Sequence, residues 1–149
     1  MLSKIEDQSQ VIYILNISLI KGNKMPHTTK SEKVLIAFRR YIDAFNNCDL
    51  TEIKRQLNVD VEVQFNGAIA TQGRDTILPS YESDFRIGKQ VEVTRGPTPQ
   101  NKGKTVDVDV TLVATTPGVE VVQLDVLYTY DIASMIQVRH IITNVKTLS

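Results

Sequence analysis

The fold of this chain is decided by residues 28–65, which read TTKSEKVLIAFRRYIDAFNNCDLTEIKRQLNVDVEVQF. Thr29 and Glu32 form a capping box, and the apolar residues that follow recur at helical spacing, which predicts an amphipathic helix over 30–46. A second box at 49–52 predicts a short second helix. The end of the stretch alternates between apolar and polar side chains, which predicts a half-buried strand.

The rest of the chain is predicted to add one helix and then only strands. Gly73 precedes apolar residues at helical spacing, which predicts a third helix over about 74–86. After Ile87 the sequence alternates as antiparallel strands do. Helices followed by consecutive strands are typical of an α+β fold in which the helices cover one face of a curved sheet. We expect a loop over 96–103 and strands near 90–94, 106–112, 119–131 and 135–145.

The composition excludes several classes of function. The 17 Lys and Arg residues balance the 17 Asp and Glu residues, so no basic footprint for nucleic acid or an anionic membrane is present. The single cysteine, Cys48, forms no intramolecular disulfide, which favours a reducing, cytoplasmic location. With only His27, His140 and one cysteine among the usual metal ligands, we predict neither a metal site nor a cofactor.

Residues 1–27 are predicted to be an appendage of unknown role, followed by one domain over 28–149. Within the appendage, residues 11–20 form a largely apolar run. This run is shorter than the ~20 residues needed to span a bilayer. Glu6 and Asp7 occupy what would be the basic region of a secretory signal, which argues against one.

Three runs of the chain, Tyr41–Ile53, Val59–Phe65 and Gly73–Ile77, resemble the nuclear transport factor 2-like superfamily, which includes SnoaL-like cyclases and ketosteroid isomerases. The resemblance covers about 30–146. It implies a cone-shaped α+β roll, in which a strongly bent antiparallel sheet wraps around the N-terminal helices and encloses an apolar cavity. It also implies a homodimer formed through the outer face of the sheet.

The isomerase branch of this superfamily places a tyrosine on the first helix, a basic aspartate on the first strand and a protonated aspartate on a late strand. By the resemblance, Tyr41 matches the tyrosine and Asp125 matches the late aspartate, whereas the position of the base falls on Phe65. A phenyl ring cannot abstract a proton, so we expect the isomerase reaction in its usual form to be absent.

A different catalytic pair follows from the register of the last hairpin. If Tyr130 and Met135 flank its turn, Asp125 lies directly opposite His140. Opposed side chains have Cβ atoms about 4.5–5.5 Å apart, close enough for a carboxylate to orient an imidazole. With Tyr41 as a hydroxyl donor, this pair predicts general acid–base chemistry without a cofactor.

Two functions therefore stay open. The first is a SnoaL-like cavity domain that binds a small apolar molecule or acts as a dimeric interaction module. The second is an isomerase, lyase or cyclase that uses Asp125, His140 and Tyr41. A turn that differs by one residue would instead pair Asp125 with Arg139 or Ile141, and a buried Asp–His pair is also compatible with a structural role. The side chains expected to line the cavity are Phe38, Phe65, Tyr81, Phe85, Val138 and Ile142.

Overall fold

Three helices accompany the sheet in the computed structural model, which describes residues 28–148. They confirm the three helices predicted from the sequence, and the capping box at the start of the first is formed, with Thr29 Oγ1 accepting from the Glu32 N–H at 3.1 Å. The appendage predicted over 1–27 lies outside the described residues, as does Ser149. The helices are α1 (Lys30–Asn46), α2 (Leu50–Gln56) and α3 (Arg74–Arg86).

Six strands form one sheet in the order β2-β1-β6-β5-β4-β3. Four of the five neighbouring pairs are antiparallel, and β1 and β6 pair in parallel, which the long connection between them permits. The α+β class is therefore confirmed, with one parallel pair in a sheet predicted to be antiparallel. The strands are β1 (Leu57–Phe65), β2 (Ala68–Gln72), β3 (Gln90–Asn101), β4 (Thr105–Thr115), β5 (Val121–Asp131) and β6 (Ile136–Leu148).

Strand β2 was not predicted, although the sequence carries its signal. Asn66 and Gly67 connect β1 to β2 and have φ values of 51° and 87°. Asn-Gly is the dipeptide that tolerates two successive positive φ angles in a tight hairpin turn. The turn therefore returns the chain along β1 as an edge strand.

The loop predicted over 96–103 is wrong, because β3 continues to Asn101. The strand changes register on both sides of Arg95, and the following Gly96 has φ 87° and precedes a cis peptide bond to Pro97. A Cβ atom on Gly96 would clash with the backbone oxygen of Asp109. Glycine alone fits this close approach, and the bulge lets the strand continue through residues that are typical of a loop.

The hairpin between β5 and β6 has a different register from the one predicted. Its first pair is Asp131 with Ile136, and Tyr130 then pairs with Gln137 whereas Thr129 pairs with Arg139. Val138 is therefore an extra residue, a β-bulge that leaves Gln137 and His140 on the same face although they are three residues apart. A regular strand would place them on opposite faces.

The core lies between α1 and the inner face of the sheet, which we define as the face that carries Val108, Val110, Tyr128 and Tyr130. These side chains are buried and pack against the apolar stripe of α1, with the rings of Phe38 and Tyr128 at a centroid distance of 5.1 Å. Alternation along β4 and β5 sends the intervening residues to the outer face. Two chemically different environments therefore lie on one set of strands.

Candidate functional site

A cavity of about 490 Å³ lies between α1, α3 and the inner face of the sheet. The volume is within the range of small-molecule sites, about 300–1,000 Å³. The walls are mostly apolar, and polar side chains meet mainly at the inner end and at the mouth. The apolar wall comprises Phe45, Val63, Ile77, Val91, Leu112, Ala114, Val122, Leu124 and Ile142.

Three tyrosines and one histidine form the polar inner end of the cavity. The hydroxyls of Tyr41 and Tyr81 lie 2.6 Å apart and share one hydrogen bond. Tyr128 packs edge-on against Tyr41, at a centroid distance of 5.4 Å, and against the imidazole of His140 at 4.7 Å. All four residues are buried and line the cavity. The arrangement therefore concentrates hydroxyl groups and one imidazole at a single end of an apolar space.

A chain of hydrogen bonds runs from this imidazole to the surface. His140 Nε2 lies 2.6 Å from Gln137 Oε1, and Gln137 Nε2 donates to the Tyr130 hydroxyl at 2.8 Å. The Tyr130 hydroxyl donates to Gln56 Oε1 at 2.7 Å, and Gln56 Nε2 donates to Glu52 at 2.9 Å. We call these five residues the inner network. It joins α2 to the two strands of the last hairpin.

Burial controls the protonation of this end of the cavity. It raises the pKa of Tyr41, Tyr81 and Tyr128 above the ordinary value, so their hydroxyls keep their hydrogens. It lowers the pKa of His140 to about 3, because burial removes the solvation that would stabilise the imidazolium. The histidine is therefore neutral at physiological pH.

The mouth of the cavity is apolar and partly exposed. Ile87 and Val119 both line the cavity, and 53% and 61% of their surfaces face solvent. Lys89 and Asp84 form an ion pair at 3.0 Å beside them, and Glu120 lies on the same rim. An apolar molecule that enters would meet apolar side chains first.

Solved structures match the fold of this chain, whereas no protein-family profile and no curated protein matches it. An NTF-2 like protein of unknown function from Shewanella oneidensis MR-1 aligns with a TM-score of 0.62 and 11% identity, over 78% of this chain and 100% of that one. The chain has the nuclear transport factor 2-like fold. The predicted resemblance is therefore confirmed.

Two further structures with the nuclear transport factor 2-like fold carry enzyme names. A candidate ketosteroid isomerase from Kribbella flavida DSM 17836 has a TM-score of 0.57 and 18% identity, with 81% of this chain and 82% of that one aligned. An LEH-like epoxide hydrolase of M. tuberculosis has a TM-score of 0.57 and 18% identity, with 79% and 84% aligned. At these identities the likeness establishes the fold and leaves the chemistry to the residues present.

The predicted pairing of Asp125 with His140 is wrong. Asp125 lies opposite Thr143, and His140 lies opposite Tyr128. The hairpin turn lies one residue further along the chain than expected, which shifts the pairing by two residues, and the bulge at Val138 shifts it by one more, so the two side chains lie on opposite faces of the sheet. Tyr41, the third predicted catalytic residue, does lie beside the imidazole, at a centroid distance of 6.3 Å.

Asp125 belongs to a separate cluster on the outer face. Its carboxylate accepts from Thr111 Oγ1 at 2.6 Å and from Asn144 Nδ2 at 2.8 Å, and Arg95 lies 3.7 Å away and pairs with Asp109 at 2.9 Å. We call these five residues the outer network. The hydrogen bonds from Thr111 and Asn144, with the nearby Arg95, hold the Asp125 pKa below its ordinary value. This carboxylate is charged and faces away from the cavity.

The six side chains expected to line the cavity divide into two groups. Tyr81 and Ile142 do line it. Phe38, on α1, is wholly buried in the core against Tyr128, and Phe85 packs beside Phe45 at the edge of that core. Phe65 lies at the end of β1 with 44% of its surface exposed, and Val138 is the bulged residue of β6. These last four therefore lie outside the cavity wall.

Sequence reasoning missed the polar residues that matter most at the inner end. Tyr128 lies at the inner end of the cavity and Tyr130 in the inner network, and neither was among the site residues predicted from the sequence. Gln56 and Gln137 are both wholly buried, and a polar residue in an apolar stripe was the available signal. Their hydrogen bonds join positions 81 residues apart in the chain, so no local pattern reports them.

Two structural absences apply to the described part of the chain. Over residues 28–148, no three His, Cys, Asp or Glu side chains come together as a metal would require. Within the same range, no helix has the length and hydropathy to cross a membrane.

Proposed function

We propose that this protein binds a small, largely apolar molecule in the cavity, with the polar end of that molecule against the tyrosines and His140. The observation that carries the proposal is an apolar cavity of about 490 Å³ in which Tyr41, Tyr81, Tyr128 and His140 come together at one end. Binding sites for small molecules typically combine apolar walls with a few convergent polar groups. The exposed apolar mouth supports the same function.

Binding is favoured over acid–base catalysis by the state of the imidazole. A general base works best when its pKa lies near the operating pH, and burial lowers the His140 pKa to about 3. The Asp–His pair predicted from the sequence is not formed, so no carboxylate within the described residues raises that pKa. The isomerase and hydrolase named among the similar structures support the presence of a cavity rather than a particular reaction.

Calorimetric titration with naphthol tests the proposal, because this probe combines an apolar body with one hydroxyl group. Ala114 lines the cavity, and its neighbour Val113 points to the outer face of β4. We expect Ala114→Phe to fill the cavity and weaken naphthol binding about tenfold or more, a loss of about 1.4 kcal/mol.

Val113→Phe is the matched control, because it adds a ring to the same strand on the other face. We expect it to bind naphthol as the unmodified chain does. The proposal fails if the unmodified chain binds no naphthol, or if Ala114→Phe and Val113→Phe bind it equally well.

We also propose the homodimer and the cytoplasmic location that the sequence suggested. Half-buried apolar side chains on the outer face, including Leu127 and Ile141, support a contact there, and the free thiol of Cys48 fits a reducing compartment. Light scattering of the purified protein decides the first point, since the mass of a single 16.7 kDa chain would contradict a dimer.

A further inference from the structure

The inner network begins at groups that can only accept hydrogen bonds. Gln56 Nε2 donates to the backbone oxygen of Ala37 at 2.8 Å and to the carboxylate of Glu52 at 2.9 Å. The neighbouring Arg55 lowers the pKa of Glu52, so this carboxylate is ionised and has no hydrogen to give. Because both partners accept, the amide nitrogen of Gln56 must face them. Its oxygen therefore faces Tyr130.

The orientation of the Gln56 amide determines which group donates in each of the following hydrogen bonds of the network. Gln56 Oε1 accepts, so the Tyr130 hydroxyl donates its only hydrogen to it at 2.7 Å. The Tyr130 oxygen is then left to accept from Gln137 Nε2 at 2.8 Å. The other end of that amide, Gln137 Oε1, lies 2.6 Å from His140 Nε2 and can only accept. His140 Nε2 must therefore carry the hydrogen.

The opposite nitrogen of the imidazole is left without a hydrogen. A neutral histidine has one N–H, and burial keeps His140 neutral. Within residues 28–148, Nδ1 takes part in no hydrogen bond and is not among the polar atoms sealed from solvent. His140 lines the cavity, so Nδ1 presents a lone pair to whatever occupies it.

The tyrosines beside it offer the complementary group. Tyr41, Tyr81 and Tyr128 carry three hydroxyl hydrogens, and the bonds that join Tyr41 to Tyr81 and to Tyr128 use two of them. The third hydrogen is left to be donated into the cavity. A ligand hydroxyl matches both features, because its hydrogen pairs with the lone pair on Nδ1 and its oxygen accepts from a tyrosine. A ketone or an ether supplies only the accepting part.

We infer that the inner network, starting at Glu52 and Ala37, holds His140 as its Nε2–H tautomer and thereby selects an apolar alcohol or phenol as the occupant of the cavity. This inference rests on the proposed binding function and adds the chemical class of the ligand. Glu52, Gln56, Tyr130 and Gln137 act as positioning residues, since they reach the ligand only through His140.

The tautomer is measured first, on the ligand-free protein, by nitrogen-15 NMR of the imidazole. His27→Gln assigns the signal, because the chain has only two histidines. We expect a single Nε2–H tautomer for His140. Tyr130→Phe removes the 2.8 Å bond that orients the Gln137 amide and leaves only a long contact of 3.4 Å between Gln137 Nε2 and Gln56 Oε1, so we expect the Nδ1–H tautomer to appear in that variant.

Tyr128→Phe is the matched control for this measurement. It removes the same atom from a buried tyrosine whose ring packs against His140, and the hydroxyl lost there is hydrogen-bonded to Tyr41 and is no part of the inner network. We expect it to keep the Nε2–H tautomer. A ligand-free protein in the Nδ1–H form, or a Tyr130→Phe spectrum unchanged from that of the original chain, overturns the inference.

The ligand preference is measured next with naphthol and with methoxynaphthalene substituted at the same position. The ether keeps the apolar body and the oxygen but cannot donate to Nδ1. We expect naphthol to bind about tenfold more tightly, since the ether would leave two acceptors facing each other. Equal affinities overturn the preference for a hydroxyl group. Binding of neither compound overturns the proposed function and the preference together, whereas the tautomer is decided by the NMR spectra alone.

Discussion

The inner and outer networks lie on opposite faces of the same sheet, and each sets the charge of one titratable side chain in a different way. The inner network is almost wholly buried and is neutral except at Glu52, whereas the outer network contains Arg95, Asp109 and Asp125 and keeps contact with solvent. The pKa of His140 and the pKa of Asp125 are both lowered. For the histidine this means loss of charge by burial, and for the aspartate it means retention of charge by hydrogen-bond donors. The charge state of these side chains is therefore determined by the face of the sheet on which they lie, rather than by the strand that carries them.

The largest expected difference between the networks is in stability. Gln56→Leu removes the group that pairs with Ala37, Glu52 and Tyr130, and each buried polar group left unpaired costs about 1–3 kcal/mol. We expect the free energy of unfolding to fall by about 2–4 kcal/mol, measured by urea denaturation. In the outer network, Thr111→Val removes a hydrogen bond from groups that water can reach. We therefore expect the free energy of unfolding to fall by less than about 1 kcal/mol in this variant. Similar losses for both variants would abolish the distinction between the two faces.

The next difference concerns the dependence of stability on pH. The folded-state pKa of His140 is about 3 and its ordinary value is 6.5, so the unfolded chain binds the proton more tightly. The contribution of His140 to stability is therefore complete above about pH 6.5 and is lost as the pH falls toward 3. We expect a slope of about 1.4 kcal/mol per pH unit in this window.

Replacing His140 by Gln should remove this slope. A Gln side chain still donates to Gln137, so the network is kept while the titrating group is lost. Asp125 titrates from a lower starting value, 3.8, and its contribution is lost only as the pH falls below that value. Asp125 therefore does not contribute to the slope of denaturation curves between pH 7 and about pH 4.5. A slope that persists in His140→Gln would show that other groups cause it.

The smallest effect is expected for Asp125→Asn. Partly exposed ion pairs contribute about 0–1 kcal/mol, so we expect a loss of stability within that range. We also expect the NMR titration of His140 to be unchanged, because the sheet separates the two side chains. A change in the His140 pKa in this variant would mean that the networks communicate across the sheet. It would also support the interaction between Asp125 and His140 that the sequence had suggested.

The sequence predicted the helices and the class of fold because these depend on local patterns. The capping box at Thr29 and the apolar stripe of α1 are complete within a few turns of helix, and the structure reproduces both. The register of β5 and β6 depends instead on the position of one turn and on the bulge at Val138, neither of which periodicity reveals. Counting from an assumed turn placed Asp125 opposite His140, three residues from its actual partner.

The candidate site was predicted only in part for a related reason. Tyr41, Tyr81 and His140 were identified, because each is a residue whose chemistry stands out in an apolar pattern. Gln56 and Gln137 were not, since glutamine has no reactivity of its own and acquires a role only through distant partners. The fold brings α2 against the last hairpin and thereby joins them.

The bulge at Val138 also affects how this site would be recognised in other chains and how β6 tolerates changes of length. A strand normally loses its pattern when a single residue is deleted, because every later side chain moves to the other face. Here the deletion of Val138 would leave a regular ladder in which Gln137 and His140 still face inward. The motif Gln-x-x-His with a bulge and the motif Gln-x-His without one are therefore equivalent, and a search for this site should accept either spacing.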